Sequence, residues 1–405
     1  MEEAFNDTIT NELNLRHNAK IVVIGVGGGG SNAVNHMVEQ ENENIEYWVF
    51  NTDAQALQAS SCEHKFILGY ENAIENERGL GAGGSPEAGR KAAELSSERI
   101  RRVVEGANMV FIAAGEGGGT GTGASPVVAR IAKEAGALVL AIVTRPFSME
   151  GSARIKIATQ GIKDLTKAVD SIIIVSNDKL INKQSGLTLA DGFKICDNVL
   201  SEAVTTLTDI ILKSGRINLD FADVKATMLN RGLALISIGK GSGVNKAYLA
   251  AQSAVNSPFL ETSIIGARTL IIAVTSGRHV LMEDTENVIN YIKQAAKIDE
   301  NENDVNIKWG LYEDPTFQDD EMKVAIIATD FDKSLLVNNE DDENDVIELI
   351  KKDPKKEIVV PDYYQEILND LNSDITDENS QISQPDTYSS YDTSDDDAMI
   401  IERKQ

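Results

Sequence analysis

Residues 20–32 read KIVVIGVGGGGSN, an apolar strand that leads directly into four consecutive glycines. A run of Val and Ile is typical of a strand that is buried on both faces of a parallel sheet. Glycines let backbone N–H groups turn towards a ligand, and a helix that begins after them presents the positive end of its dipole. This stretch therefore predicts a strand, a phosphate-binding loop and a helix of a doubly wound α/β fold.

The same residues allow two other interpretations. The spacing Gly25-x-Gly27-x-x-Gly30 satisfies the dinucleotide fingerprint, and Asp53 follows the next strand, where a ribose-binding carboxylate would lie. An NAD(P)-binding Rossmann enzyme is therefore one hypothesis. A tight strand-to-helix turn without a ligand is another.

A second glycine loop, GEGGGTGTG at residues 115–123, again follows an apolar strand and precedes a helix. A dinucleotide domain has one such loop, whereas two loops at successive strand ends can surround a triphosphate with amide and Thr donors. The chain contains no G-x-x-x-x-G-K-[ST] motif, which argues against the common P-loop classes.

Composition excludes several classes of function. The 405 residues contain 38 Lys and Arg against 64 Asp and Glu, a net charge of −26, which argues against nucleic acids and anionic lipid surfaces as partners. No apolar run reaches the roughly 18–20 residues of a membrane span, so no membrane insertion is expected, and the acidic start does not resemble a signal peptide. A cytoplasmic protein is expected. Two Cys and four His at scattered positions predict no metal site built from side chains, and both Cys are expected to be buried.

Strands and helices alternate up to about residue 190, which predicts a Rossmann-like, mostly parallel sheet. A long central helix and a second, smaller α+β domain follow. The last 73 residues contain 20 Asp and Glu against 7 Lys and Arg, a composition typical of a disordered acidic tail. The predicted boundaries are 1–17 for an N-terminal extension, 18–190 for the nucleotide domain, 191–212 for the helix, 213–332 for the second domain and 333–405 for the tail.

GGGTGTG, together with NTDAQAL, RGLGAG, TRPFSMEG, SNDKL and INLDFADV in this order, resembles the tubulin/FtsZ family of GTPases from about Lys20 to Asp330. The resemblance implies a polymerising GTPase of the cell-division ring at mid-cell, with GTP or GDP bound and Mg²⁺ held mainly by phosphates and water. It also implies partners of two kinds: further copies of the chain, and membrane-tethering division proteins that bind the tail. The C-terminal AMIIERKQ departs from the family's docking peptide, so the identity of the tether stays open.

The resemblance also implies a set of nucleotide-binding residues. The phosphates would be lined by Gly28, Gly29, Gly30, Ser31 and Asn32 from the first loop and by Gly119, Thr120 and Gly121 from the second. Glu150 and Arg154 would contact the sugar and phosphate region; without the resemblance, an exposed i,i+4 ion pair explains them equally well. Glu116 and Ser176 depart from the family pattern.

For the base, the resemblance points to Asn177, Phe193 and Asp197. Guanine presents two adjacent N–H donors that one carboxylate can accept, so an Asp here explains a preference for GTP. Phe193 by itself is better explained as a core residue.

The third motif, at residues 218–223, is acidic, and the predicted catalytic residues are Asn218, Asp220 and Asp223. Two carboxylates repel a triphosphate unless they act through a water and cations. The motif follows a helix of roughly 35–40 Å, which separates it from the glycine loops. The resemblance implies that subunits stack head to tail, so that this loop completes the site of the next subunit. Asp220 as a helix N-cap is a compatible local interpretation, and a filament protein without hydrolysis is a further alternative.

Overall fold

The computed structural model describes residues 19–39, 45–69, 79–181, 188–257, 263–278, 280–298 and 305–331. The predicted N-terminal extension and acidic tail lie outside these residues.

Ten strands form one continuous sheet in the order β3-β2-β1-β4-β5-β6-β7-β10-β8-β9. The strands are β1 Ile21–Val26, β2 Ile45–Asn51, β3 His64–Ile67, β4 Met109–Gly115, β5 Leu138–Arg145, β6 Ser171–Ser176, β7 Gly232–Ser242, β8 Ala267–Ser276, β9 Asn306–Glu313 and β10 Glu321–Phe331. All pairs from β3 to β7 are parallel, as the alternating sequence predicted.

Eleven helices are present within the described residues. They are α1 Gly27–Val38, α2 Ala54–Ala59, α3 Pro86–Leu95, α4 Ser97–Val104, α5 Thr120–Glu134, α6 Ser152–Ala168, α7 Asn177–Ile181, α8 Leu189–Leu212, α9 Phe221–Met228, α10 Lys246–Val255 and α11 Met282–Ala295, with a 3₁₀ turn at Ser148–Glu150.

The sheet is covered on both faces, so successive residues of its central strands enter different cores. Val23 and Phe111 pack with α8 on one face, whereas Val22 and Ile112 pack with α3 to α6 on the other. Each large side chain buried in this way contributes roughly 1.5–3 kcal/mol. This explains why the strands are continuously apolar and not alternating.

The long helix α8 begins with a reciprocal cap between Thr188 and Asp191. Its buried side includes Leu200, Val204 and Leu207, residues of the predicted apolar stripe. The helix is 24 residues long, so its two ends lie about 36 Å apart.

The sequence PEAGRKAAELSSERIRRVV, residues 86–104, predicts a single helix, but the structure has two helices there, α3 and α4, which meet at Ser96. The Ser96 backbone leaves the helical region, with φ −95° and ψ 9°, and its hydroxyl accepts the Gly69 N–H at 2.9 Å. A tertiary hydrogen bond therefore breaks a helix that the local sequence favours.

The second group of strands differs in its pairing. β10 is antiparallel to both β7 and β8, while β9 joins β8 in parallel. The first three residues of β7 pair with β6 and the following residues pair with β10, so the smaller α+β part continues the main sheet.

Candidate functional site

The parallel strands bring the predicted nucleotide loops to one edge of the sheet. Val26, at the end of β1, lies opposite Phe50 of β2 and Ala114 of β4. The segments that follow β1, β2, β4, β5 and β6 therefore emerge side by side and form one cleft, as expected at the carboxyl ends of such strands.

The two glycine loops touch each other in this cleft. Gly27 has φ 72°, and a Cβ atom added to it would lie 2.7 Å from the Gly121 nitrogen. A side chain there would separate the loops. By contrast, Cβ positions on Gly28 and Gly118 have no neighbouring atom within 4 Å, so the backbone at these two positions is open to a ligand.

Both helices that begin at these loops have free N-termini. Neither α1 nor α5 has a side-chain cap, and neither has an acidic residue in its first turn. Their first N–H groups therefore lack intrahelical partners and face the cleft as an anion-binding surface. The predicted phosphate residues Gly28 to Asn32 lie at the start of α1, and Gly119 to Gly121 lie at the start of α5.

Thr52 is a cleft residue that the sequence analysis missed. Its Oγ1 lies 2.7 Å from Thr120 Oγ1. Thr52 directly follows β2, so its position at the end of a neighbouring parallel strand was the available signal.

Glu150 and Arg154 form the i,i+4 ion pair that the sequence allowed for, at 3.1 Å. The second carboxylate oxygen of Glu150 accepts the Phe147 N–H at 2.8 Å. Arg154 also lies against the second glycine loop, because a Cβ on Gly117 would be 2.9 Å from Arg154 Cγ. The pair thus borders the cleft, and its contact with a sugar or phosphate stays a prediction.

Phe193 is not a core residue, so the interpretation favoured for this side chain alone was wrong. It is 41% exposed and packs edge-on against the buried Phe147, with ring centroids 5.3 Å apart. The segment that carries Phe147 is held by Asp178 of α7, which accepts hydrogen bonds from Ser148. An aromatic face therefore stays open at the rim of the cleft.

Asp197, one turn along α8 from Phe193, is half-buried rather than freely solvated. Desolvation raises the pKa of its carboxyl to about 7. Nearby, Asn177 begins α7, is 5% exposed, and its Oδ1 has no hydrogen-bond partner among the described residues. The buried Ser31 Oγ in α1 likewise has no described partner. Buried polar atoms without partners are costly, and a bound ligand would remove that cost.

Glu116 points away from the open side of the glycine loop. Its side chain is buried between α5 and α6, beside Thr122 and Gly161. Thr122 Oγ1 accepts the Gly117 N–H at 2.8 Å, and neither Glu116 oxygen is in hydrogen-bonding geometry with a described residue. Burial raises the pKa of this carboxyl to about 8, so it is mainly neutral at pH 7 and adds little negative charge beneath the glycine loop.

The acidic loop is self-contained and lies beyond the far end of α8. Asp220 caps α9 by accepting the Asp223 N–H at 2.7 Å, and Asp223 in turn accepts the Asp220 N–H at 3.1 Å. Asn218 Oδ1 accepts the Gly215 N–H. Lys308 of β9 donates to Asp223 at 2.6 Å, and this contact lowers the pKa of the Asp223 carboxyl. Nothing in the sequence indicated the Lys308 contact, which joins residues 85 positions apart.

One chain therefore brings together the glycine loops, Glu150, Arg154, Asn177, Phe193 and Asp197, but not Asn218, Asp220 and Asp223. The α8 helix, about 36 Å long, separates the two groups.

Asp53 does not support the dinucleotide hypothesis. Its carboxylate caps α2 by accepting the N–H groups of Gln55 at 2.9 Å and Ala56 at 3.2 Å. A residue already committed to a helix N-terminus is poorly placed to bind a ribose, and the hypothesis is not favoured.

Three further observations concern the described part of the chain only. No group of three or more His, Cys, Asp or Glu there could hold a metal ion. No helix there combines the length and apolar composition needed to cross a membrane. Both Cys62 and Cys196 are buried, as expected.

Comparisons with known proteins agree with this geometry. Residues 20–184 match the family model described as "Tubulin/FtsZ family, GTPase domain", and residues 232–332 match "FtsZ family, C-terminal domain". The cell division protein FtsZ of Mycoplasmopsis pulmonis is 43% identical over 352 residues, which is 87% of each chain.

Solved structures give the same relationship. An empty FtsZ dimer of M. jannaschii is 38% identical, with a TM-score of 0.72 over 80% of this chain and 92% of that one. The GDP-bound CetZ1 monomer of Haloferax volcanii shares the fold at 18% identity, with a TM-score of 0.65 over 76% of this chain and 93% of that one. The two matched domains and the extent of identity establish that the chain is a GTPase of the tubulin/FtsZ family.

Proposed function

We propose that the cleft binds the phosphates of GTP or GDP through Gly28 to Asn32 and Gly119 to Gly121. The observation that carries this proposal is the meeting of two uncapped helix N-termini at the Gly27–Gly121 contact. A triphosphate there accepts hydrogen bonds from N–H groups that have no partner within their own helix. Glu150 and Arg154 border the same cleft and contact the sugar and phosphates.

The base binds between Phe193, Asn177 and Asp197. Phe193 offers an exposed aromatic face, and Asn177 offers a buried oxygen without a partner. Asp197, once ionised, accepts both N–H donors of guanine, whereas adenine lacks that donor pair. The half-buried carboxylate thus selects GTP, because leaving it unpaired beside adenine is costly.

Mg²⁺ is held mainly by the nucleotide phosphates and water; among the described residues, no group of three or more His, Cys, Asp or Glu could hold it. When bound, it neutralises charge on the β- and γ-phosphates.

Hydrolysis takes place between two copies of the chain. Asp220, Asp223 and Asn218 lie too far from the cleft to serve the nucleotide of their own chain. In a head-to-tail pair, the acidic loop of one copy orients the attacking water at the γ-phosphate of the next. Such a heterologous contact does not close and so gives filaments.

The M. pulmonis relative is named as a cell division protein and the M. jannaschii FtsZ as a dimer, which supports a filament of the division ring. We place the chain in the cytoplasm at mid-cell, joined to membrane-tethering proteins by residues 333–405. We keep the domain boundaries at 18–190, 191–212 and 213–332, with the tail from 333.

A complementation assay tests the shared site. The Asp220→Asn protein has an intact nucleotide cleft and an altered acidic loop, whereas the Asp197→Ala protein has an altered cleft and an intact loop. Each protein alone should release little phosphate from GTP. Mixed in equal amounts they should recover about a quarter of wild-type turnover, because that share of head-to-tail contacts joins an intact cleft to an intact loop. A mixture as inactive as its components, or an Asp220→Asn protein with normal turnover, would refute the proposal. Wild-type phosphate release should also rise steeply with protein concentration, in step with light scattering.

A further inference from the structure

A groove of about 620 Å³ lies between α3, α5 and α6, away from the nucleotide cleft. Its apolar lining comes from Pro126 and Val127 of α5 and Ala168 of α6. A groove that crosses three helices and has an apolar strip between charged side chains has the shape of a site for a peptide segment.

Three cations, one from each helix, surround this apolar lining: Arg90, Arg130 and Lys167. All three are exposed, and none forms an ion pair with a described residue. The chain as a whole carries a net charge of −26, so these three cations can attract an acidic segment of the same chain.

The acidic residues at the groove offset these cations only in part. Glu134 is held by Arg101 at 2.8 Å, and Asp164 accepts a hydrogen bond from Gln160 at 3.0 Å. Glu94 also lines the groove. The groove therefore favours a ligand that carries several negative charges beside an apolar segment.

The chain leaves the sheet close to this groove. Asp330, next to the last residue of β10, pairs with Arg231 at 3.1 Å. The neighbouring Asn230 accepts a hydrogen bond from Lys133 at 2.8 Å, and Lys133 lines the groove. Only a few side chains therefore separate the end of β10 from the groove.

We propose that the groove binds residues 338–350 of the same chain, NNEDDENDVIELI. Five acidic residues lie between positions 340 and 345 and match the cations, and Val346, Ile347, Leu349 and Ile350 match the apolar lining. The seven residues from 332 to 338 span up to about 23 Å when extended. Because the segment is tethered beside the groove, its effective concentration is high. This proposal does not depend on the proposed reaction.

The first test is carbodiimide cross-linking of the full-length chain, followed by peptide mapping. The Lys167 amine should become joined to a carboxylate between Glu340 and Glu348, and the yield should not change on tenfold dilution. A yield that falls in proportion to concentration would assign the groove to a second copy and overturn the proposal. So would the absence of any Lys167 cross-link to this segment.

The second test follows a dye attached to Asn344→Cys, which is selective because Cys62 and Cys196 are buried. Arg130→Glu combined with Lys167→Glu should lower the dye anisotropy at least about twofold and make it insensitive to salt. Lys91→Glu with Lys240→Glu is the matched control, since both are exposed cations outside the groove and the charge change is equal. Circular dichroism verifies that all variants fold. Equal anisotropy in the three proteins would overturn the proposal.

Discussion

The nucleotide cleft and the acidic loop both contain many polar groups, but these groups differ in whether they have hydrogen-bond partners within the chain. In the cleft, two helix N-termini have no caps, and Ser31 and Asn177 have buried oxygens without described partners. In the acidic loop, Asp220 and Asp223 cap each other's backbone and Lys308 neutralises Asp223. We therefore expect a ligand to complete the cleft, whereas the loop is hydrogen-bonded within its own chain and is proposed to act on another molecule.

The largest effect is expected for Asp220→Asn, which tests whether the acidic loop acts through its carboxylate. Asn caps a helix about as well as Asp, so the loop should keep its fold while losing a carboxylate. We expect turnover to fall by roughly 1,000-fold, about 4 kcal/mol, with GTP binding unchanged. Phosphate release and nucleotide binding measured on the same preparation give both values. Asp220→Ala, which also loses the cap, should be equally inactive and less stable; if only the Ala variant loses turnover, the loop's fold matters and its charge does not.

The second-largest effect is expected for Asp197→Asn. Its affinity for guanine nucleotides should fall roughly 100-fold, because the variant loses the pair of carboxylate acceptors for guanine. In the wild type, the free carboxyl has a pKa of about 7, and guanine binds the ionised form. Affinity for GDP should therefore fall about tenfold per pH unit below pH 7 and level off above it. Calorimetric titration from pH 5.5 to 8.5 measures the slope. The Asn variant is the control, because its affinity should not follow this profile; a flat wild-type profile would exclude Asp197 as the acceptor.

Glu116→Gln tests whether the buried carboxyl under the glycine loop lowers the stability of the folded chain as pH rises. The folded pKa of about 8 lies above the ordinary value of 4.5, so the folded state binds the proton more tightly. Wild-type stability is then fully present below pH 4.5 and is lost as pH rises towards 8, by at most about 1.4 kcal/mol per unit. Gln should remove this loss, so that its advantage in unfolding free energy increases by up to about 4 kcal/mol between pH 4.5 and pH 8.

Denaturant unfolding without nucleotide at pH 5, 6.5 and 8 gives the comparison for Glu116→Gln. Glu94→Gln, at an exposed position, is the control and should show no such trend. A constant difference between Glu116→Gln and the wild type would contradict the buried, protonated state.

The smallest effect is expected for Lys308→Met. Its ion pair with Asp223 is partly exposed, so the loss of stability should be about 1 kcal/mol or less. The Asp223 pKa should rise towards its ordinary value, and at pH 7 the carboxylate stays ionised. Turnover should therefore fall less than about tenfold. A loss of turnover as large as that expected for Asp220→Asn would instead assign Lys308 a direct role in the shared site.

Much of the fold followed from local pattern. Continuous Val and Ile runs predicted parallel strands with both faces buried, and the stripe on α8 predicted the long helix. The two glycine loops indicated a phosphate site because glycine where a strand meets a helix N-terminus has a direct physical meaning. Predictions failed where a distant partner decided the outcome. Gly69 breaks the helix at Ser96, and the edge-on contact with Phe147 leaves Phe193 exposed.

Asp197 as the guanine carboxylate followed from the family resemblance and stays a prediction. The sequence by itself predicted two glycine loops suited to phosphates and an acidic loop on the far side of a long helix. These depend on residue type and short spacing, which the chain carries locally. Only the tertiary structure decided that Asp53 caps a helix, that Glu116 is buried away from the open side of the glycine loop, and that Lys308 pairs with Asp223. Those outcomes depend on contacts between residues that are tens of positions apart in the sequence. No local sequence pattern indicates the packing and desolvation at such contacts.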